Sequence, residues 1–386
     1  NHGIFVENRL RHLLSSRQAT STVLAPVPWF PFRAKLFGDW ALHAAAPPTE
    51  TRHAIPIHHP RYPVVPKLGM TIAPWLLYRA MIPPITRLLR QGHRFDLIDA
   101  HYLYPDGVAA TWLGRRFGLP VVITARGTDV NLIPRYRLPR RLIQTAIHDA
   151  AALVAVSTAL KQALLALGAP QDKVTVLRNG VETTLFHPPQ DRTATRAALG
   201  LAGPTLLSVG GLIERKGHHR TIEAMRHLPG FHLLIAGEGP ERDRLATLVR
   251  HHDLTDRVRL LGPVPHRDLP ALYGAADASI LASSREGWAN VLLESMACGT
   301  PVIAANIWGN PEVVRSPEAG LIYDPNTKDG IAAGVRRLFA ALPDRAATRA
   351  YAEAFSWDET TQGQLALFRQ VLAERRGDLR RHEGSP

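Results

Sequence analysis

Glu286 and Glu294 stand eight residues apart in the stretch SSREGWANVLLESMACGTPVIAANIWGNPE, residues 283–312. The apolar run Ala278–Leu281 before it predicts a strand, and the polar turn Glu286-Gly287-Trp288-Ala289-Asn290 follows. A helix is expected from about Ala289 to Cys298, ended by Gly299, with the next strand beginning after Pro301. The free N–H groups and positive dipole end of such a helix make an anion site suited to a diphosphate. Glu294 would lie one turn behind that end, where a carboxylate can accept two hydroxyl hydrogen bonds of the kind a ribose offers. Glu286, in the turn, can do the same for a sugar ring. Two glutamates at this spacing occur by chance in many chains; the strand-turn-helix setting and Gly299 raise this pair above chance.

In that setting the stretch resembles the E-x7-E signature of the retaining, nucleotide-sugar-dependent glycosyltransferases of family 4, whose fold is GT-B. Other pieces match the family in order along nearly the whole chain. Val209-Gly210-Gly211-Leu212 followed by Lys216-Gly217 is similar to its first C-domain loop, and Gly237-Glu238-Gly239-Pro240 to its second. Arg259-Leu260-Leu261-Gly262 matches the strand that ends in glycine. Asn179-Gly180-Val181-Glu182, with Phe186 following, matches the element before the interdomain linker. Gly299-Thr300-Pro301-Val302-Ile303 and Gly309 to Glu312 match the segment after the signature. The resemblance implies that Lys216 neutralises the donor diphosphate as a compact point charge. It implies that Glu294 holds the nucleotide ribose and that Glu286 holds the transferred sugar near its 3- or 4-hydroxyl. Gly287, Trp288, Ala289, Asn290 and Val291 would offer backbone to sugar and phosphate, and Gly211, Arg215 and Glu238 complete the implied donor set. The plainer reading of Lys216 is an exposed lysine at a helix start.

The chain departs from the family twice. Gly211 stands where Arg is common, so a second diphosphate cation would have to come from Arg215. In Thr124-Ala125-Arg126-Gly127-Thr128-Asp129, Arg126 replaces a histidine that in many members contacts the donor sugar. Arg126 would meet a phosphate or an acidic sugar instead, or else pair with Asp129 at the surface. His101 follows an apolar run in Asp99-Ala100-His101-Tyr102-Leu103-Tyr104-Pro105-Asp106-Gly107, and is either a cleft residue or a satisfied core histidine. Glu286, His101, Arg126 and Asp129 are thus the candidate catalytic residues. The His58-His59, His218-His219 and His251-His252 pairs lack the i,i+4 geometry of a shared metal face, and the resemblance implies transfer without metal or cofactor. Cys298 is expected to pack as a small hydrophobe.

Positioning these residues takes parallel sheets. Strands are expected at Leu97–His101, Val121–Arg126, Leu153–Ser157 and Val174–Leu177, then at Thr205–Val209, His232–Ala236, Val258–Leu261, Ala278–Leu281, Val302–Ala305 and Gly320–Tyr323. Amphipathic stretches between them, such as Ser157–Leu167 and His219–Arg226, predict crossover helices. One sheet of all these strands would be unusually wide. The Pro- and Gly-rich segment Phe186–Pro204 breaks it, giving an α/β protein of two doubly wound, Rossmann-like domains facing across a cleft, as in GT-B. Residues 1–190 would form an acceptor-binding domain and 191–355 a nucleotide-sugar-binding domain. Residues 356–386 would form a helix packing back towards the first domain, followed by a polar tail. Residues 40–75 read as a long loop, and Trp75–Arg90, interrupted by Pro83 and Pro84, as a cationic amphipathic helix pair. That pair would lie on its own sheet or on a membrane.

The chain has 386 residues, enough for two or three domains, and one cysteine, which excludes a disulfide framework. No unbroken apolar run is long enough to span a bilayer and no signal-peptide pattern opens it, so a reducing, cytoplasmic setting is expected. Residues 1–190 carry 22 basic and 10 acidic side chains; residues 191–386 carry 24 and 23. The basic first half would attract an anionic partner such as a membrane surface or a polyprenyl-diphosphate-linked acceptor, unless 40 Arg against 6 Lys reflects composition alone. Nucleic acid is disfavoured by the lack of zinc-finger, basic-zipper or RNA-binding signatures. The His101–Gly107 and Arg126–Asp129 segments resemble a bacterial subgroup that builds cell-surface polysaccharides, including teichuronic-acid-type enzymes. Gly3-Ile4-Phe5-Val6-Glu7-Asn8 resembles the end of the family's first glycine loop and its first helix, and the chain opens at Asn1 without the strand expected before it. The rival readings are a catalytically weak GT-B scaffold for anionic ligands or membrane, and an epimerase or phosphorylase on the same fold.

Overall fold

The computed structural model describes residues 3–30, 43–64 and 69–383. The chain separates into two compact units. One holds residues 178–360 together with Ser157–Ala159; the other holds residues 3–156, 160–177 and those from Thr361 onward.

The first unit is built on a six-stranded parallel sheet. In spatial order its strands are Val258–Gly262, His232–Ala236, Thr205–Val209, Ala278–Leu281, Val302–Ala305 and Gly320–Tyr323. Numbered along the chain this is 3-2-1-4-5-6, the order of dinucleotide-binding sheets. The strands are short apolar runs because helices cover both faces, so both side-chain sets are buried. Val302, Ile303, Ala304 and Ala305 have no exposed surface. Ile222, Met225, Ile280, Ile303, Ile331 and Val335 close one core from sheet and helices together. The strands expected from sequence here coincide with the observed ones, apart from Gly262, which extends the third.

The second unit carries a four-stranded parallel sheet, Ile98–His101, Val121–Ala125, Ala152–Ala155 and Val174–Val176, in chain order. Leu367 and Val371 of the helix Trp357–Glu383 pack on Val122, Ala152 and Val154 of this sheet. A helix, Ile4–Ser15, follows Gly3.

Two expectations for this unit are corrected. Within residues 40–75, of which 40–42 and 65–68 lie outside the described residues, the chain forms strands. Thr49–Arg52 and Ile55–His58 make an antiparallel hairpin, Ile55–His58 pairs with Val23–Leu24, and Arg61–Pro63 pairs with Val27–Trp29. The hairpin turn is His53-Ala54, both at positive φ, where sequence rules look for Asn-Gly, and Pro56 and Pro63 argue against strands. The second correction concerns the expected helix pair. Gly69–Arg90 is one helix running through Pro74, Pro83 and Pro84. It buries Leu76, Leu77, Ile85 and Leu88. At about 1.5–3 kcal/mol each, that burial offsets the loss of helical hydrogen bonds at the prolines.

Candidate active site

In a doubly wound sheet, ligands bind beyond the carboxyl ends of the strands, where the strand order reverses. In the first unit the reversal falls between Thr205–Val209 and Ala278–Leu281. The loop leaving the first carries Gly210, Gly211, Arg215 and Lys216, and the turn leaving the second carries Ser283, Glu286 and Gly287. These loops touch because of a glycine. Gly217 sits at φ +72, and a Cβ there would lie 2.1 Å from the Ala282 carbonyl oxygen. Gly217→Ala is therefore expected to destabilise the unit by about 2 kcal/mol or more, read as a lower urea midpoint with weakened nucleotide binding.

The contact brings Lys216 onto Glu286. The Lys216 ammonium donates to Glu286 Oε1 at 2.7 Å, the Ser283 hydroxyl donates to the same oxygen at 2.7 Å, and Arg215 Nη1 lies 3.5 Å from Oε2. Arg215 also donates to the Arg285 carbonyl at 2.8 Å. Glu286 is 8% exposed. Burial would raise its carboxyl, but the Lys216 and Arg215 charges and the two hydrogen bonds outweigh that and hold it below the ordinary glutamate value. It is ionised at neutral pH, and the stability it contributes is lost only as pH falls through that lowered value.

The helix after the turn is Asn290–Ala297, with Ala289 at its N-cap and no side-chain cap. Its first-turn N–H groups thus have no capping side chain. Gly287, Trp288 and Ala289 are buried, while Asn290 and Val291 are half-buried. Asn179 donates to Asn290 Oδ1 at 3.2 Å, and the Arg178 guanidinium lies 5.8 Å from the centre of the Trp288 ring. Arg178 also donates to Glu312 at 2.7 Å, whose carboxylate accepts the N–H groups of Thr158 and Ala159 at 2.9 Å each. Asn326 Nδ2 donates to the carbonyl of Ser283 at 2.9 Å, and the Tyr323 hydroxyl donates to Asn326 Oδ1 at 2.9 Å. The turn that presents Glu286 is thereby held from the end of the edge strand Gly320–Tyr323, two places along the sheet from Ala278–Leu281.

Glu294 faces its own set of partners. Tyr273 Oη donates to Oε2 at 3.1 Å and His266 Nε2 lies 3.1 Å from Oε1. Phe186 packs edge-on against both rings. Each carboxylate oxygen keeps one lone pair for an incoming hydroxyl. Glu238 has an exposed side chain, and its carbonyl accepts the Leu212 N–H at 2.8 Å. Gly211 is exposed. Tyr273, His266 and Asn326 carried no spacing signal in the sequence; they come from separate elements that only the sheet order brings together. Ser283 and Glu312 lie at the ends of the stretch read from sequence, but nothing in it showed their partners.

His218, next to this loop, is buried with Nδ1 3.0 Å from the Ser208 hydroxyl. Burial, with help from the Lys216 charge, lowers it from 6.5 to about 4. The unfolded chain takes a proton that the native state refuses, so stability is lost as pH falls from 6.5 to about 4. Urea midpoints should fall over that window and fall less in His218→Gln, by at most about 3 kcal/mol.

His101, Arg126 and Asp129 lie in the second unit, at the carboxyl edge of its sheet. Arg126 Nη2 is 2.9 Å from His101 Nδ1. Arginine can only donate, so Nδ1 accepts and the proton sits on Nε2, 3.8 Å from Asp99 Oδ2. Burial and the charges of Arg126 and Arg9 keep His101 well below 6.5 and therefore neutral. Burial pushes Asp99 up to about 6, against the pull of Arg9 and Arg126, and lowers Arg126 to about 9. Gln364 ties Asp99 to Arg9, donating to the carboxylate at 2.9 Å and accepting from Arg9 Nε at 2.8 Å. The surface pair envisaged for Arg126 and Asp129 is corrected, because both side chains are buried. Asp129 anchors the loop: its carboxylate accepts the backbone N–H groups of Leu103, Gly127 and Arg126 at 2.8, 2.7 and 3.2 Å. Among the described residues no group of three or more His, Cys, Asp or Glu could hold a metal ion.

Residues 191–355 match the family model for group 1 glycosyl transferases, and residues 37–185 match that for glycosyltransferase family 4. A D-inositol 3-phosphate glycosyltransferase of Acidothermus cellulolyticus is 34% identical over 318 residues, covering 75% of this chain and 70% of the relative. The chain spans between 65% and 70% of the length of such curated relatives. Among solved structures, sucrose-phosphate synthase from Thermosynechococcus elongatus superposes with a TM-score of 0.78 at 21% identity, covering 97% of this chain and 94% of that one. Anabaena HepE in complex with UDP superposes with a TM-score of 0.67 at 24% identity, covering 81% and 86%. At those identities the superpositions establish the shared GT-B fold.

Proposed function

The chain belongs to the family 4, group 1 glycosyltransferases, and from that premise we propose that its first unit binds a nucleoside diphosphate sugar of UDP or GDP type at the Lys216–Glu286 junction, for transfer to a phosphate-bearing hydroxyl acceptor. The observation that carries the reading is the paired Lys216 and Glu286 at the point where the strand order reverses. Lys216 and Arg215 face the diphosphate, with the uncapped N-terminus of Asn290–Ala297 behind it. Glu286 takes a hydroxyl of the transferred sugar and Glu294 the ribose. In the transfer step the bond from the sugar C1 to the diphosphate oxygen breaks and its electron pair leaves on the diphosphate. The acceptor oxygen bonds to C1 on the same face, and its proton passes to the departing phosphate oxygen. Stabilising that developing charge is where a fixed cation gains most. No metal or cofactor has a part in this scheme.

Two observations support an anionic acceptor. Curated relatives are named for inositol 3-phosphate, and the basic surplus lies in residues 1–190. The finer reading is a lipid-linked acceptor, polyprenyl-diphosphate in type, used in cell-surface polysaccharide synthesis at the cytoplasmic membrane face. No helix among the described residues is long and apolar enough to cross a membrane. The test is donor consumption followed by NMR, with soluble polyol phosphates and lipid-linked diphosphates as acceptors. Donor loss dependent on a phosphorylated acceptor, with the anomeric configuration kept in the product, supports the reading. An inverted product, or donor binding without turnover on any acceptor, overturns it.

A further inference from the structure

The second unit carries a surface that the transfer chemistry leaves unused. From the carboxyl end of Val121–Ala125 the chain passes through Thr128–Asn131 and Ile133–Arg135 into the helix Arg137–Asp149, which returns to the start of Ala152–Ala155. The helix Gly69–Arg90 runs likewise towards the start of Ile98–His101. Its first turn is tied to the turn after that strand, because the Tyr104 hydroxyl donates to the Met70 carbonyl. Both helices therefore begin at the carboxyl edge of the sheet, the edge that holds His101 and Arg126.

At these two beginnings large apolar side chains stand in solvent: Trp75 is 54% exposed, Tyr136 49% and Leu138 46%. Arg137, Arg140 and Arg141 are exposed among them. The chain has no acidic residue between Asp129 and Asp149, and none within Gly69–Arg90. A solvated basic face would not need the tryptophan, tyrosine and leucine, and a protein-binding apolar patch would not exclude every carboxylate. Aromatic and aliphatic tips among arginines suit the headgroup layer of a bilayer, with guanidinium on lipid phosphate and rings at the interface.

We infer that this edge of the second unit docks on an anionic lipid bilayer through Trp75, Tyr136, Leu138 and the Arg137–Arg141 arginines, which rests on the reading above that the acceptor is membrane-borne. The sheet's carboxyl edge then faces the lipid surface on which such an acceptor is presented.

The experiment is vesicle co-sedimentation of the full chain, using phosphatidylcholine alone and phosphatidylcholine with phosphatidylglycerol. Binding is expected to the anionic vesicles only and to fall with salt. The triple variant Arg137→Gln, Arg140→Gln, Arg141→Gln should lose about a hundredfold in partition, from roughly fivefold per charge removed at the surface. Trp75→Ala and Leu138→Ser should weaken binding at high salt most, where the apolar part remains. Neutralising Arg244, Arg250 and Arg267, exposed arginines of the first unit, should leave partition within about twofold of wild type. Equal binding to neutral vesicles, no vesicle binding, or an unaffected triple variant overturns the inference. A dimer in solution that Leu138→Ser dissociates also overturns it, by giving the face to a second copy. Donor consumption by the same samples with lipid-linked diphosphates as acceptors separates the two readings: if the acceptor is misread, no lipid-linked product forms while vesicle binding persists.

Discussion

Lys216→Ala is expected to lower kcat by about a thousandfold, with a much smaller change in KM for the donor. The ammonium sits beyond the carboxyl end of the first strand of its sheet, held at 2.7 Å from Glu286. It has three donors, so one can stay on Glu286 while the others turn to phosphate oxygen. Charge builds on the diphosphate only as the glycosidic bond breaks, so the loss falls on the transition state more than on ground-state binding. Arg215, 3.5 Å from the same carboxylate, is a weaker stand-in because its guanidinium is also committed to the Arg285 carbonyl. Lys216→Arg should recover little, since a planar fork does not reproduce a point charge in that position. Steady-state kinetics with saturating acceptor read the effect. A drop smaller than about tenfold would remove Lys216 from the chemistry.

The second large effect is at Glu286. Glu286→Gln keeps the shape of the side chain and an acceptor for the Ser283 hydroxyl, but removes the charge. We expect kcat to fall by about a hundredfold or more, while affinity for the free nucleoside diphosphate is unchanged or tighter. The sign of the second part is the sharper test. In the empty site Glu286 competes with a diphosphate for Lys216, and with the carboxylate gone the ammonium is released to the phosphate. A residue that merely held the loop together would weaken nucleotide binding and activity alike. In the Lys216→Ala, Glu286→Gln double variant the losses should not add, because each single change already breaks the same contact.

The donor unit was legible in the sequence because its signals are local. Short apolar runs bounded by glycine, proline or polar residues located all six strands; Lys216 and Glu286 lie in the loops that leave two of them, and Glu294 one turn into the helix that follows. What sequence could not show was who meets whom. Tyr273 and His266 reach Glu294, and Asn326 reaches the Ser283 carbonyl, from elements between 21 and 43 residues away. Asp129 read as a candidate catalytic carboxylate, or else as the surface partner of Arg126, because nothing in its neighbours announces that three backbone N–H groups converge on it. In the second unit the failures have physical causes as well. His53-Ala54 turns a hairpin without Asn or Gly, and the buried face of Gly69–Arg90 outweighs three prolines.

The most direct test of the donor site is calorimetric titration of the protein with UDP, GDP, ADP and dTDP, with Glu294→Ala as the partner sample. The account predicts roughly micromolar binding of one nucleotide, weakened by about tenfold to a hundredfold in Glu294→Ala, where the ribose loses a charged acceptor. Absence of binding to every nucleotide in a folded sample would contradict it, as would equal binding by wild type and Glu294→Ala.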